Sequence, residues 1–274
     1  MQKYLNIAMV QTNLIWEDPE QNKINLSEKI DAISEKVDLI ILPEMFSTGF
    51  SMNPYDFAET MDGQFILWLK SIAKTKNTAI TGSLIIKDPP DGEAGNDNYY
   101  NRLVFVFPPD GQRDGEIQTY DKKHTFTFAG EDKVFTAGNK KLIVDYNGWK
   151  ICPLICYDLR FPVWARNIEN YDLLIYVANW PKPRIKAWNT LLKARAIENM
   201  CYCVGVNRVG VDSRGNTYTG NSAVYDSLGK KISTIKPNED ITEIIRLSKE
   251  DLIKTREKFR FLDDRDDFVI LNET

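Results

Sequence analysis

The segment Val37-Asp38-Leu39-Ile40-Ile41-Leu42 is apolar almost throughout and stops at Pro43. A strand with one wet face alternates apolar and polar residues, so a continuous run of this length reads as a strand covered on both sides. Similar short runs recur along the chain and point to an α/β core. Strands are predicted at 4–11, 78–86, 99–107, 115–121, 141–146, 149–155, 172–178 and 201–207, and near 222–226, 231–236 and 241–247. Helical spacing appears at 19–37, where Leu26, Ile30, Ile33 and Val37 share a face, and again at 65–76, 161–169, 185–199 and 249–258. Residues 88–98 are loop by composition, and Pro109-Asp110-Gly111 and Asn147-Gly148 are turns. With no repeat and no linker-like stretch, residues 1–274 read as one domain.

Composition removes several classes of function. A net charge of −4 and no basic stripe argue against nucleic-acid binding. The longest apolar runs are too short to span a bilayer, and the N-terminus lacks the layout of a signal peptide. The chain therefore reads as cytoplasmic, and Cys152, Cys156, Cys201 and Cys203 as reduced thiols. On that reading the sequons at Asn25 and Asn272 are chance matches. His124 is the single histidine, so two-histidine zinc hydrolases are excluded, and any histidine triad must pass through that residue.

Three residues each follow the end of a strand: Glu44, Lys122 and Cys156. Side chains just past strand ends gather on one edge of an α/β sheet, where ligands bind. A carboxylate, an ammonium and a thiol suffice for acyl transfer without histidine. The carboxylate takes the thiol proton, and the ammonium favours first the thiolate and then the oxyanion. Taken singly, each also has a plain reading: Glu44 as a helix cap, Lys122 as a surface lysine, Cys156 as inert core. The sequence Tyr157-Asp158-Leu159-Arg160-Phe161-Pro162 breaks the strand after Cys156 and opens a helix, whose first N–H groups are free to stabilise an anion. On the 185–199 helix, Arg195 lies on the apolar stripe, which requires either an internal salt bridge or a subunit interface.

Leu42-Pro43-Glu44-Met45-Phe46, Tyr120-Asp121-Lys122-Lys123-His124 and Cys156-Tyr157-Asp158-Leu159-Arg160-Phe161-Pro162 resemble, in order, the base, lysine and nucleophile motifs of the nitrilase superfamily of carbon–nitrogen hydrolases. The resemblance implies a four-layer α-β-β-α sandwich and a Glu44-Lys122-Cys156 triad, with the Tyr157 backbone N–H as second oxyanion donor. Glu131 resembles the family's second active-site glutamate; otherwise it is a solvated loop carboxylate. His124 becomes a structural neighbour of the lysine. The nucleophile motif followed by Ala178-Asn179-Trp180-Pro181 is similar to the omega-amidase branch, which implies hydrolysis of a 2-oxo dicarboxylic acid monoamide such as 2-oxoglutaramate. Asn179 and Trp180 then wall the pocket, with a buried structural role as the alternative for Trp180. The resemblance also implies at least a homodimer and no metal or other cofactor. Nitrile, N-carbamoyl or peptide-derived amide hydrolysis stays open, as does a thiol-redox or non-catalytic protein on the same scaffold.

Other motifs fail on their chemistry. Gly215–Ser222 has Asn where a phosphate-binding loop needs Lys, Cys201-x-Cys203 has no partner ligands, and Asp263–Asp267 is interrupted by Arg265.

Overall fold

The computed structural model describes residues 2–89, 97–110 and 115–271. Most of the 88–98 loop, Gly111 of the 109–111 turn and the Asn272 sequon lie outside the described residues. The first half of the chain forms β1 (Tyr4–Gln11), α1 (Pro19–Asp31), β2 (Leu39–Ile41), α2 (Pro54–Phe57), α3 (Gln64–Lys76), β3 (Ala79–Asp88), β4 (Asn98–Val106) and β5 (Ile117–Asp121). After them come β6 (Val144–Tyr146), β7 (Trp149–Ile155), α4 (Pro162–Ala165), β8 (Leu173–Ala178), α5 (Ile185–Glu198) and β9 (Tyr202–Asn207). The chain closes with β10 (Val209–Val211), β11 (Thr217–Thr219), β12 (Ala223–Tyr225), β13 (Ile241–Ser248) and α6 (Lys249–Phe259).

Two sheets carry the fold, in strand orders β13-β1-β2-β3-β4-β5 and β12-β9-β8-β7-β6. Each has a parallel centre, β1-β2-β3 or β7-β8-β9, flanked by antiparallel strands. The side-chain alternation of a strand explains why the central runs are apolar throughout. Leu5, Ile7, Met9, Leu39 and Ile41 point into a core shared with β7, β8 and β9. Their alternates Ala8, Val10 and Ile40 pack against Leu26 and Ile30 of α1 and Phe65 and Leu69 of α3. On the second sheet, Trp188, Leu192 and Ala196 of α5 join the inner cluster. The layers are α-β-β-α.

Gly205 of β9 shows how tightly α5 is seated. A Cβ built there would lie 2.4 Å from Leu192 Cδ1 and 2.7 Å from Trp188 Cζ2. Gly205→Ala is therefore expected to overpack this layer and lower stability by about 1–3 kcal/mol, measured by urea unfolding.

Several elements differ from expectation. The first helix stops at Asp31, not 37; it begins with Pro19 at its first turn and the Asp18 side chain accepting from Gln21 N. Ile33 and Val37 still pack on the outer core, but from the irregular chain between the helix and β2. The helix expected at 161–169 is the single turn α4, preceded by a five-residue 3-10 helix over Cys156–Arg160. The strand expected at 231–236 reduces to one bridge, Tyr225 to Lys231, while the β10–β11 ribbon was not anticipated. Arg195 resolves as internal: Nη1 pairs with Glu198 Oε1 at 2.9 Å and Nη2 donates to Leu159 O at 2.6 Å. No described helix is long and apolar enough to cross a membrane.

Candidate active site

Topology brings the key residues together. β5 lies two antiparallel steps from β3, so it runs in the same direction as β2 and β3 and ends at the same sheet edge. Glu44 lies just beyond β2 and Lys122 just beyond β5; Cys156 follows β7 and Asn179 follows β8 in the facing sheet. The facing sheets touch here directly: Asn179 N donates to Glu44 Oε2 at 2.8 Å, and Asn179 Nδ2 to Glu44 O at 2.6 Å.

Lys122 sits between two carboxylates. Its Nζ is 2.9 Å from Glu44 Oε1 and 2.9 and 2.8 Å from the two oxygens of Glu131. All three side chains are buried, so charge pairing must offset a large desolvation cost. Burial alone disfavours the ammonium, but the charges of Glu131 and Glu44 outweigh it and hold its pKa above the ordinary value. Glu131 is not a solvated loop carboxylate. Burial pushes its pKa up, Lys122 pulls it back, and its Oε2 accepts from Phe126 N at 2.5 Å.

Asn101 of β4 completes the group and was not found from sequence. Its Nδ2 donates to Glu44 Oε1 at 2.9 Å and to Glu131 Oε1 at 3.1 Å, two of the three oxygens that Lys122 holds. The result is a closed ring of hydrogen bonds that fixes Glu44 Oε1, while Oε2 accepts from Asn179 N. The one available signal was an amide-bearing residue in a buried strand, a type that strands disfavour.

Cys156 is hydrogen-bonded to Glu44 and opens the 3-10 turn with φ 42°. A left-handed non-glycine residue costs on the order of 1–3 kcal/mol and persists only where its surroundings over-determine it. Sequence reasoning had the lysine favouring the thiolate. Instead burial and the Glu44 charge push the Cys156 thiol well above its ordinary value, and Lys122 offsets them only in part. Lys122 already serves two carboxylates. The resting form is thus the thiol, beside an oxygen positioned to take its proton. Tyr157 lies in the first turn of the 3-10 helix, where backbone N–H groups have no acceptor within the helix.

A cavity of about 210 Å³ opens over Cys156 and Lys122. Its walls include Phe50, Phe126, Tyr157, Trp180 and Asn179. Trp180 fulfils both of its alternatives: it lines the cavity, is 3% exposed, and packs against Trp188 at a centroid distance of 5.6 Å. Asn179 lines it as well, while two of its donors hold Glu44. Arg160, Arg184 and Arg214 also line the cavity, and none has a carboxylate partner among the described residues. The one acidic wall residue among the described residues, Asp212, is occupied by Arg214 N, Asn216 N and Nδ2 and Tyr218 OH.

Fold and sequence together place the chain in the carbon–nitrogen hydrolase family, whose profile matches residues 6–257. It is a hydrolase of the nitrilase superfamily, acting as an amidase. Among its relatives, the omega-amidase YafV of Yersinia enterocolitica is 41% identical over 97% of this chain and 99% of that protein. The 2-oxoglutaramate amidase of Bacillus subtilis is 29% identical over 94% of this chain and 96% of that protein. The crystal structure of XC1258 from Xanthomonas campestris, a CN-hydrolase superfamily protein with an arsenic adduct in its active site, superposes with a TM-score of 0.90. It is 39% identical and covers 98% of this chain and 100% of its own.

Proposed function

We propose that this chain hydrolyses the amide of a short 2-oxo dicarboxylic acid monoamide, such as 2-oxoglutaramate, to the acid and ammonia. Three guanidinium groups around the cavity over Cys156, none with a carboxylate partner among the described residues, carry this reading, because they match an amide that bears an acid at its far end. The relatives called omega-amidase and 2-oxoglutaramate amidase support it.

In the proposed mechanism Glu44 takes the proton from Cys156 Sγ as the sulfur attacks the amide carbon. The carbonyl electron pair moves onto oxygen, held by Lys122 Nζ and the Tyr157 N–H. Collapse breaks the carbon–nitrogen bond, and Glu44 returns the proton to the departing nitrogen, releasing ammonia and leaving a thioester. Glu44 then takes a proton from water, whose oxygen attacks the thioester carbon. The sulfur leaves as thiolate and recovers its proton from Glu44. Glu131 and Asn101 hold Lys122 and Glu44 throughout. Cys156, Glu44, water and the substrate itself supply every proton and electron pair these steps need. A homodimer or higher homo-oligomer in the cytoplasm completes the proposal; sedimentation velocity tests the former.

Ammonia release from 2-oxoglutaramate, butyramide, an aliphatic nitrile and an N-carbamoyl amino acid distinguishes the readings. Expected is a kcat/KM for 2-oxoglutaramate at least about 10²-fold above that for butyramide, since a site built for a charged group rejects the analogue lacking it. Equal rates on the neutral amide, or preference for the nitrile or carbamoyl compound, would overturn the substrate assignment.

A further inference from the structure

Asp158 is fully buried, and among the described residues no lysine or arginine pairs with it. Its two oxygens take four hydrogen bonds. Oδ2 accepts from Ile155 N at 3.0 Å and from Tyr120 OH at 2.7 Å. Oδ1 accepts from His124 N at 3.0 Å and from His124 Nδ1 at 2.7 Å. A carboxylate only accepts, so Nδ1 carries the hydrogen. One donor is thus the residue immediately before Cys156, and the others flank Lys122 on both sides. Tyr120 OH in turn accepts from Lys123 N at 3.1 Å and Trp164 Nε1 at 3.0 Å. The imidazole is fixed by stacking on Phe161, with ring centroids 3.7 Å apart and planes 4° from parallel.

From this geometry we propose that Asp158 is a positioning residue which, through His124 and Tyr120, sets the place of Lys122 relative to Cys156. The proposal rests on the roles given above to those two residues. The sulfur comes from one sheet and the ammonium from the other, and no side chain of the triad joins the nucleophile turn to the lysine segment through a fixed backbone contact. Asp158 does so at both ends: it closes the turn around the left-handed Cys156 through Ile155 N and grips the lysine segment through His124 N. Oxyanion donors act only when held near 3 Å from the developing charge, and a displacement of about 1 Å can cost about 10²-fold. His124 therefore serves the reaction as a strut between Asp158 and the lysine segment.

The test compares His124→Ala, His124→Asn, Asp158→Asn and Cys156→Ala with the wild type, on the best amide of the panel above. Asparagine places Nδ2 where the imidazole has Nδ1. Expected is a kcat per folded molecule reduced at least about 10-fold in His124→Ala and about 10²-fold in Asp158→Asn, with KM within about threefold. His124→Asn is expected to recover most of the loss. If Asp158→Asn does not fold, the two His124 variants decide. A kcat in His124→Ala within twofold of wild type, or equal loss in both His124 variants, overturns the strut. Turnover retained by Cys156→Ala would instead show that the assignment of the nucleophile is at fault, and the strut would fall with it.

Discussion

Cys156→Ala is expected to lose amide hydrolysis by a factor of about 10⁴–10⁶ while remaining folded, because nucleophile removal in a covalent mechanism leaves only binding and oxyanion stabilisation. No other thiol can take over. Cys152, Cys201 and Cys203 are fully buried, outside the cavity lining, and burial pushes each thiol well above its ordinary value. Stability should change little, since alanine keeps the Cβ at the left-handed position and removes a single sulfur. Ammonia release and thermal unfolding of the same preparation check both halves of this expectation.

Lys122→Ala should damage both catalysis and stability. Losing one oxyanion donor costs about 10²–10³ in kcat. The same change strands Glu44 and Glu131, two buried carboxylates that share this cation, and breaking a buried pair costs about 3–5 kcal/mol. The stability loss depends on pH, and its sign follows from Glu131. Burial and Glu44 raise its folded pKa above the ordinary 4.5, and Lys122 pulls it down. Without Lys122 the folded pKa rises further, so the folded variant binds more protons than the unfolded chain above pH 4.5. Its stability then falls as pH climbs from the unfolded value through the raised folded one. The gap in melting temperature between wild type and variant should widen from pH 5 to pH 8. A constant or narrowing gap would mean that Lys122 is not what pulls the Glu131 pKa down.

The strands at the centre of both sheets were legible because burial on both faces leaves an unbroken apolar run, as at Leu39–Ile41 and Leu173–Ala178. Periodicity misled where tertiary packing, not helix, buried the apolar residue. Ile33 and Val37 continue the spacing of α1, yet they reach the core from chain beyond its end. The β10 and β11 strands escaped notice because three residues each are too few to show alternation. Glu44, Lys122 and Cys156 stood out by their places after strand ends, and the resemblance of their motifs to those of a known family joined them into one site. Asn101 and Asp158 did not, because the amide in a strand joins the site through partners at least 30 residues away and the acid in a turn reaches the lysine segment across at least 34. The balance of charge on Cys156 was also beyond sequence reasoning, since it depends on which groups share one ammonium.

The covalent step can be observed directly by acid-quenching the wild-type protein during turnover of excess 2-oxoglutaramate and mapping the added mass by peptide mass spectrometry. Expected is the acyl group, without the amide nitrogen, on the peptide containing Cys156 and on no other, with the signal absent in Cys156→Ala. An acyl group on another residue, or continued ammonia release by Cys156→Ala without any adduct, would contradict a Cys156 thioester.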